Sequence, residues 1–247
     1  MADQLEGRNP VIECLTRRRR RVRQLWLDGG AKPDGRVQRI LRLAKAAGVT
    51  VERVERRWLD QKAQGRIHNG VIAQVDPLPQ LTTRQLLNQL FVSQIDPFLI
   101  LVDELTYEHN LGALLRSALA FGVNGLVLPT RRGAQVSPVV QRVSMGAVEE
   151  VPIVREGLYS ALKPIKKAGL PIVGAHMTGR ACTETSLRGP LVLLLGAEGR
   201  GLSSKLLERC GRTVAIPLAG ELESLNVSVA GAILMYEKRR QDGWFKG

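Results

Sequence analysis

Aromatic residues are scarce, at 4% of 247 positions, so few side chains could stack on bases along a single strand. Cysteine occurs only three times, at Cys14, Cys182 and Cys210. The odd count and wide spacing exclude a disulfide scaffold and a cysteine-based zinc site, and fit a reducing cytoplasm. The three histidines, His68, His109 and His176, make no metal-ligand spacing either, so chemistry without a metal is expected. No apolar run approaches the roughly 20 residues of a membrane helix. Asp3 and Glu6, with no apolar stretch before the first arginines, argue against a secretory signal.

Positive charge is abundant. Lys plus Arg total 36 against 23 acidic residues, a net charge of +13. Arginine supplies 27 of those cations, and its fork clamps phosphate bidentately. The charge is uneven, because residues 1–75 hold 17 basic and 8 acidic side chains. A polyanionic partner is indicated. The densest cluster, Arg17, Arg18, Arg19, Arg20 and Arg21 with Arg23, exceeds what capping a helix end requires, so contact with the phosphates of a polyanion is favoured over a solvated basic face. Arg8 adds to the same basic segment.

Hydrophobic periodicity gives an α/β chain in two parts. Residues 1–75 read as a small α/β domain: a helix from Pro10 into the arginines, strands near 22–27, 49–54 and 70–75, and a helix capped by Asp34. Asp76-Pro77-Leu78-Pro79 opens a linker, 76–96, that contains a short amphipathic stretch. Residues 97–247 alternate strand and helix, with strands near 98–103, 126–129, 151–154, 172–175, 191–195 and 213–216. Helices fall near 110–121, 137–145 and 157–168, and a long one starts near Ser224. Such alternation makes a mostly parallel sheet with helices on both faces, whose ligands sit at the carboxyl ends of the strands.

Three stretches follow strand ends. In the first, Asn110 occupies an N-cap position ahead of Leu111, Leu115 and Arg116; from periodicity alone a capped helix with one solvated arginine is the favoured account. In the second, Leu195-Gly196-Ala197-Glu198-Gly199-Arg200-Gly201 follows a buried strand; its glycines permit close backbone approach, but the spacing is not a dinucleotide fingerprint. In the third, Ile216-Pro217 leads to Ser224-Leu225-Asn226-Val227-Ser228, where the first turns of a helix leave amides for a ligand or simply pack closely.

Together and in this order, the stretches resemble the signature motifs of SpoU-type RNA ribose 2'-O-methyltransferases, of the SPOUT (trefoil-knot) superfamily. The resemblance covers about residues 98–240. Residues 1–75, through Glu6-Gly7-Arg8-Asn9-Pro10 and His68-Asn69-Gly70-Val71, resemble the family's N-terminal RNA-binding extension, itself similar to a small ribosomal protein. The subgroup most resembled methylates one guanosine ribose in 23S rRNA.

The resemblance implies a deep C-terminal knot, a cytoplasmic homodimer with its active site at the subunit boundary, and S-adenosylmethionine as cofactor. Main-chain groups at Leu195, Gly196, Ile216, Pro217 and Leu225 would hold the cofactor. Arg116 would be the main catalytic residue, with Asn110, Glu198, Ser224 and Asn226 completing the site. Arg8, Arg17 to Arg21 and Arg23 would meet RNA phosphate. Two departures from the family pattern stand out. Tyr107-Glu108 replaces Asp-Pro, which is expected to loosen the turn presenting Asn110, and Ala197 replaces a common serine. A guanidinium is an awkward general base, so Arg116 either loses its proton transiently or clamps a phosphate. The rival readings are the same chemistry on tRNA or another rRNA site, and an RNA-binding assembly factor without catalysis.

Overall fold

The computed structural model describes residues 3–31, 34–131, 133–197, 199–220 and 224–244. The chain divides into two compact units: residues up to Pro79 together with Val136–Glu150, and Gln80–Gln135 together with Val151–Gly247.

The first unit begins β1 (Asp3–Glu6), α1 (Arg8–Arg17), β2 (Val22–Asp28) and α2 (Gly35–Ala46). It continues β3 (Val51–Val54), α3 (Arg56–Lys62) and β4 (Val71–Val75). The sheet order is β1-β4-β2-β3, antiparallel except for the β2–β3 pair. Asp34 caps α2 as expected, accepting from the Arg36 and Val37 amides. One sheet face buries Leu25, Leu27, Val71 and Ala73 with α1 and α2. The other packs Trp26 and Ile72 on Leu59 of α3. Strand β1 and helix α3 carry no strong periodic signal in sequence; the sheet edge and the buried Leu59 define them. The segment 136–150 closes this unit with α6 (Pro138–Val143), capped by Ser137, and a 3-10 turn at Ala147–Glu149. In the chain it comes after Gln80–Gln135, which belong to the second unit.

The second unit starts with α4 (Thr83–Val92), inside the stretch read as a linker. Thr82 and Gln85 form a reciprocal capping box, and Leu86, Leu87 and Leu90 enter the unit's core. Then come β5 (Phe98–Val102), α5 (Glu108–Ala120), β6 (Gly125–Leu128), β7 (Ile153–Arg155) and α7 (Leu158–Lys167). The chain ends with β8 (Ile172–Ala181), β9 (Leu191–Leu195), α8 (Ser204–Leu207), β10 (Arg212–Ala215) and α9 (Val227–Gln241). All six strands are parallel, in the order β10-β8-β9-β5-β6-β7. Strands β5 and β9 are buried along their whole length, as expected of a sheet covered on both sides. Leu99, Leu101, Val192 and Leu194 pack on α4 and α7. Across the sheet, α5 lies against α9, where Gly231 lets the helices meet: a Cβ there would fall 2.6 Å from Leu114 Cδ1.

From the edge strand β10 the chain returns to the middle of the sheet as α9. The 182–189 loop fastens the end of that helix, the course expected of the knot. Gln241 donates to the Cys182 and Thr185 carbonyls and accepts from the Leu187 amide. Lys238 Nζ donates to the Gly189 carbonyl at 2.8 Å.

Candidate active site and basic surface

At the carboxyl ends of β8, β9 and β10 a cavity of about 560 Å³ opens. Leu195, Gly196, Ile216, Pro217 and Leu225, the five residues expected to hold a cofactor, all line it. So do Ser224 and the apolar Leu218, Val227 and Leu234. The glycines of the second stretch serve the loop before any ligand. A Cβ on Gly196 would sit 2.3 Å from the Gly201 carbonyl carbon. Gly201 has φ +63 and exchanges both backbone hydrogen bonds with Ala197. The resulting tight turn leaves the strand-end backbone facing the cavity.

Asn110 and Asn226, 116 residues apart, are joined: Asn226 Nδ2 donates to Asn110 Oδ1 at 3.0 Å. Asn226 Oδ1 accepts from the Ser228 amide and hydroxyl, which makes Asn226, not Ser224, the N-cap of α9. Asn110 is not a cap either. Tyr107 is the extended residue ahead of α5, Glu108 begins the helix, and Asn110 lies in its first turn. Where the family pattern has Asp-Pro, Glu108 puts an acidic side chain in the first turn, which suits the helix dipole. Arg116 is exposed on α5 and is not part of the cavity wall. Glu198 lies outside the described residues. Sequence reasoning missed Ala175, His176 and Met177, which also line the cavity. Their signal was position, since Ala175 ends the strand expected at 172–175 and β8 runs on through His176 and Met177 to Ala181.

The basic run divides sharply. Arg20 is a correction to the expected RNA contacts. Its side chain and that of Glu149 are each 1% exposed, and the guanidinium grips Glu149 through Nε and Nη2, with further bonds to Asp3, Gln141 and the Asp76 carbonyl. Burial alone would pull Arg20 down, but the bonds and charge of Glu149 hold its pKa above the ordinary value. Arg17 reaches Glu150 at 2.8 Å, Arg23 pairs with Asp76, and Arg8 pairs with Asp34. Those three remain at or near the surface. Arg18 ends α1 in the left-handed conformation. Arg18, Arg19, Arg21 and Arg23 line a concavity of about 740 Å³ with residues 46–50. Arg19 Nη1 is buried there without a hydrogen-bond partner among the described residues, and burial lowers its pKa. A guanidinium N–H in that state is suited to an incoming anion.

Among the described residues no His, Cys, Asp and Glu group could hold a metal ion, and no helix is long and apolar enough to cross a membrane. Residues 97–236 match the SpoU rRNA methylase family, and residues 4–81 match the RNA 2'-O ribose methyltransferase substrate-binding domain. The chain is 35% identical over 243 residues to the 23S rRNA (guanosine-2'-O-)-methyltransferase RlmB of Escherichia coli, covering 98% of this chain and 99% of the relative. It is 36% identical over 242 residues to the TrmH-family protein YacO of Bacillus subtilis, covering 97% and 96%. The crystal structure of the SpoU methyltransferase AviRb from Streptomyces viridochromogenes in complex with the cofactor AdoMet superposes with a TM-score of 0.75. That match has 26% identity and covers 97% of this chain and 90% of the other. The motifs, the parallel sheet with its strand-end cavity, and these matches agree: the chain belongs to the SpoU family of RNA 2'-O-ribose methyltransferases.

Proposed function

We propose that this protein transfers the methyl group of S-adenosylmethionine to the ribose 2'-hydroxyl of a guanosine in 23S rRNA, acting in the cytoplasm as a homodimer. The observation that carries the reading is the strand-end cavity bordered by Ser224 and the start of α9, whose cap Asn226 is bonded to Asn110. The residues fit the cofactor. Backbone at Leu195, Gly196, Ile216, Pro217 and Leu225 surrounds a space with apolar walls of the size small-molecule sites have. When bound, the sulfonium supplies an electrophilic methyl carbon and a good leaving group.

The protein's task is then to align the 2'-oxygen and exclude competing geometry. Ser224, which lines the cavity, and the bonded pair Asn110 and Asn226 are assigned to orienting polar groups of the substrate, with Glu198, next to Ala197 in sequence, completing the set. Arg116 stands away from the cavity of its own chain, on a face of α5 where Leu119 is also exposed. Val229 and Tyr236 of α9 are exposed too, and Tyr236 meets Phe121 edge-on at 6.1 Å. Apolar side chains on both helices favour a second copy as partner, which would carry Arg116 to the neighbouring site. Guanidinium groups stay cationic in proteins, so Arg116 is assigned to the phosphate beside the target and not to the 2'-hydroxyl proton. Arg17, Arg18, Arg19, Arg21, Arg23 and Arg8 supply affinity for the RNA backbone.

The test uses methyl-labelled S-adenosylmethionine with unmodified 23S rRNA and, separately, unmodified tRNA, with label mapped to nucleotide and to ribose or base. Label on one 23S guanosine ribose is expected, and Arg116→Ala should abolish it while RNA binding persists. Label on tRNA would move the substrate. Cofactor binding without transfer to either RNA would point to an assembling particle, and absence of cofactor binding would overturn the reading.

A further inference from the structure

A second concavity, of about 490 Å³, adjoins the cofactor cavity and shares Ala197, Arg200 and Gly201 with it. Three features of its wall stand together. Tyr159, in the first turn of α7, is 46% exposed, and the Arg209 guanidinium lies 5.7 Å from its ring centroid. An aromatic ring held by a cation and open to solvent is a platform for a flat heterocycle. Glu104, just beyond β5, keeps its side chain 24% exposed, whereas Arg200, which donates to Glu104 Oε2, is 69% exposed. The carboxylate is thus the more buried partner of the pair and the arginine the more exposed one. Arg131 and Arg200 add positive charge to the same wall.

We propose that this concavity seats the base of the target nucleotide, with Tyr159 as its stacking platform and Glu104 as the residue that selects guanine. The assignment rests on the methyl-transfer reading above. Guanine presents two adjacent donors, N1–H and N2–H, on its Watson–Crick edge, and a carboxylate accepts both at once. The other bases cannot match this. Adenine and cytosine each set a ring-nitrogen acceptor beside the amino group, and uracil flanks its one donor with two carbonyls. Those acceptors would face the Glu104 oxygens and be repelled. A base must leave its stack to be read this way, and the ring of Tyr159 replaces the stacking it loses. Arg200 keeps the carboxylate oriented before RNA arrives and then has the nucleotide's phosphate within its charge field.

The experiment measures single-turnover methyl transfer on 23S rRNA in which the nucleotide methylated by the wild-type protein, once mapped, is kept as guanosine or replaced by inosine, which lacks the N2 amino group. Wild type should be slower on inosine by about tenfold to a hundredfold, the loss expected for one charged hydrogen bond. Glu104→Gln should bring the two rates within about threefold of each other, mainly by slowing guanosine. Tyr159→Ala should slow both substrates while preserving their ratio. Cofactor binding, measured by calorimetry, should be unchanged in both variants, neither of which alters a residue of the cofactor cavity, and this verifies folding. A Glu104→Gln protein that keeps the wild-type guanosine-to-inosine ratio overturns the proposal while leaving the methyl-transfer reading intact. Absence of transfer by the wild type overturns both.

Discussion

Replacing Glu149 with glutamine should destabilise the first unit by about 3 kcal/mol. The substitution keeps the shape of the side chain and removes only its charge and one acceptor, so the effect isolates the ion pair. Both partners are out of solvent, and removing one member of such a pair typically costs about 3–5 kcal/mol because the other charge stays buried. The low end applies here, since Arg20 keeps Asp3 at 2.8 Å, the Gln141 oxygen and the Asp76 carbonyl. For a unit of about 94 residues, each kcal/mol is worth roughly 4–8 °C in Tm, so the expected drop is about 12–24 °C. Two of the three tryptophans, Trp26 and Trp58, lie in this unit, and Trp26 is buried. Urea and thermal unfolding followed by tryptophan fluorescence therefore read it directly. The double variant Arg20→Met with Glu149→Leu should recover most of the loss, because an apolar pair of similar volume removes the stranded charge. A loss below about 1 kcal/mol in Glu149→Gln would refute the reasoning and return Arg20 to the arginines available for RNA.

Arg21, exposed and without a carboxylate partner among the described residues, should behave oppositely. Arg21→Ala should leave the unfolding midpoint unchanged and lower the slope of log affinity against log salt by about 1, measured by filter binding to 23S rRNA. Burial first, and then the charge of Glu149, push the Cys14 thiol up to about 12. A thiol raised in the folded state favours folding below its ordinary value near 9, and that contribution is lost as pH climbs from about 9 toward 12. Cys14→Ala should flatten part of that decline in urea midpoints, to which Cys182 and Cys210, also raised by burial, contribute with the same sign. Gly196→Ala should weaken S-adenosylmethionine binding at least tenfold by calorimetry, because the new methyl collides with the Gly201 backbone and forces the loop open.

What the sequence disclosed and what it hid differ by the reach of the interaction involved. Most strands, β1 and the far half of β8 apart, follow from short apolar runs such as Leu191–Leu195, and the cofactor cavity follows from the rule that parallel sheets bind at their carboxyl ends. Those are local signals read through one topological principle. Helix caps fared less well, because Asn110, Ser224 and Asn226 are all competent caps and only tertiary contacts choose among them. Asn226 wins since its amide group also reaches Asn110 on another helix. The arginine run shows the same limit in charge. Composition measures how many cations there are but not which of them folding neutralises. Arg20 is removed from the surface by a glutamate 129 residues away, and Arg17 is held by the next residue, Glu150. The same two ion pairs bind residues 136–150 to the first unit although α4 and α5 intervene in the chain. Nothing periodic marks a contact of that length, whereas a buried arginine must find a carboxylate somewhere. A long arginine cluster in a small α/β unit is therefore best read as one or two structural anchors surrounded by cations that folding leaves at the surface.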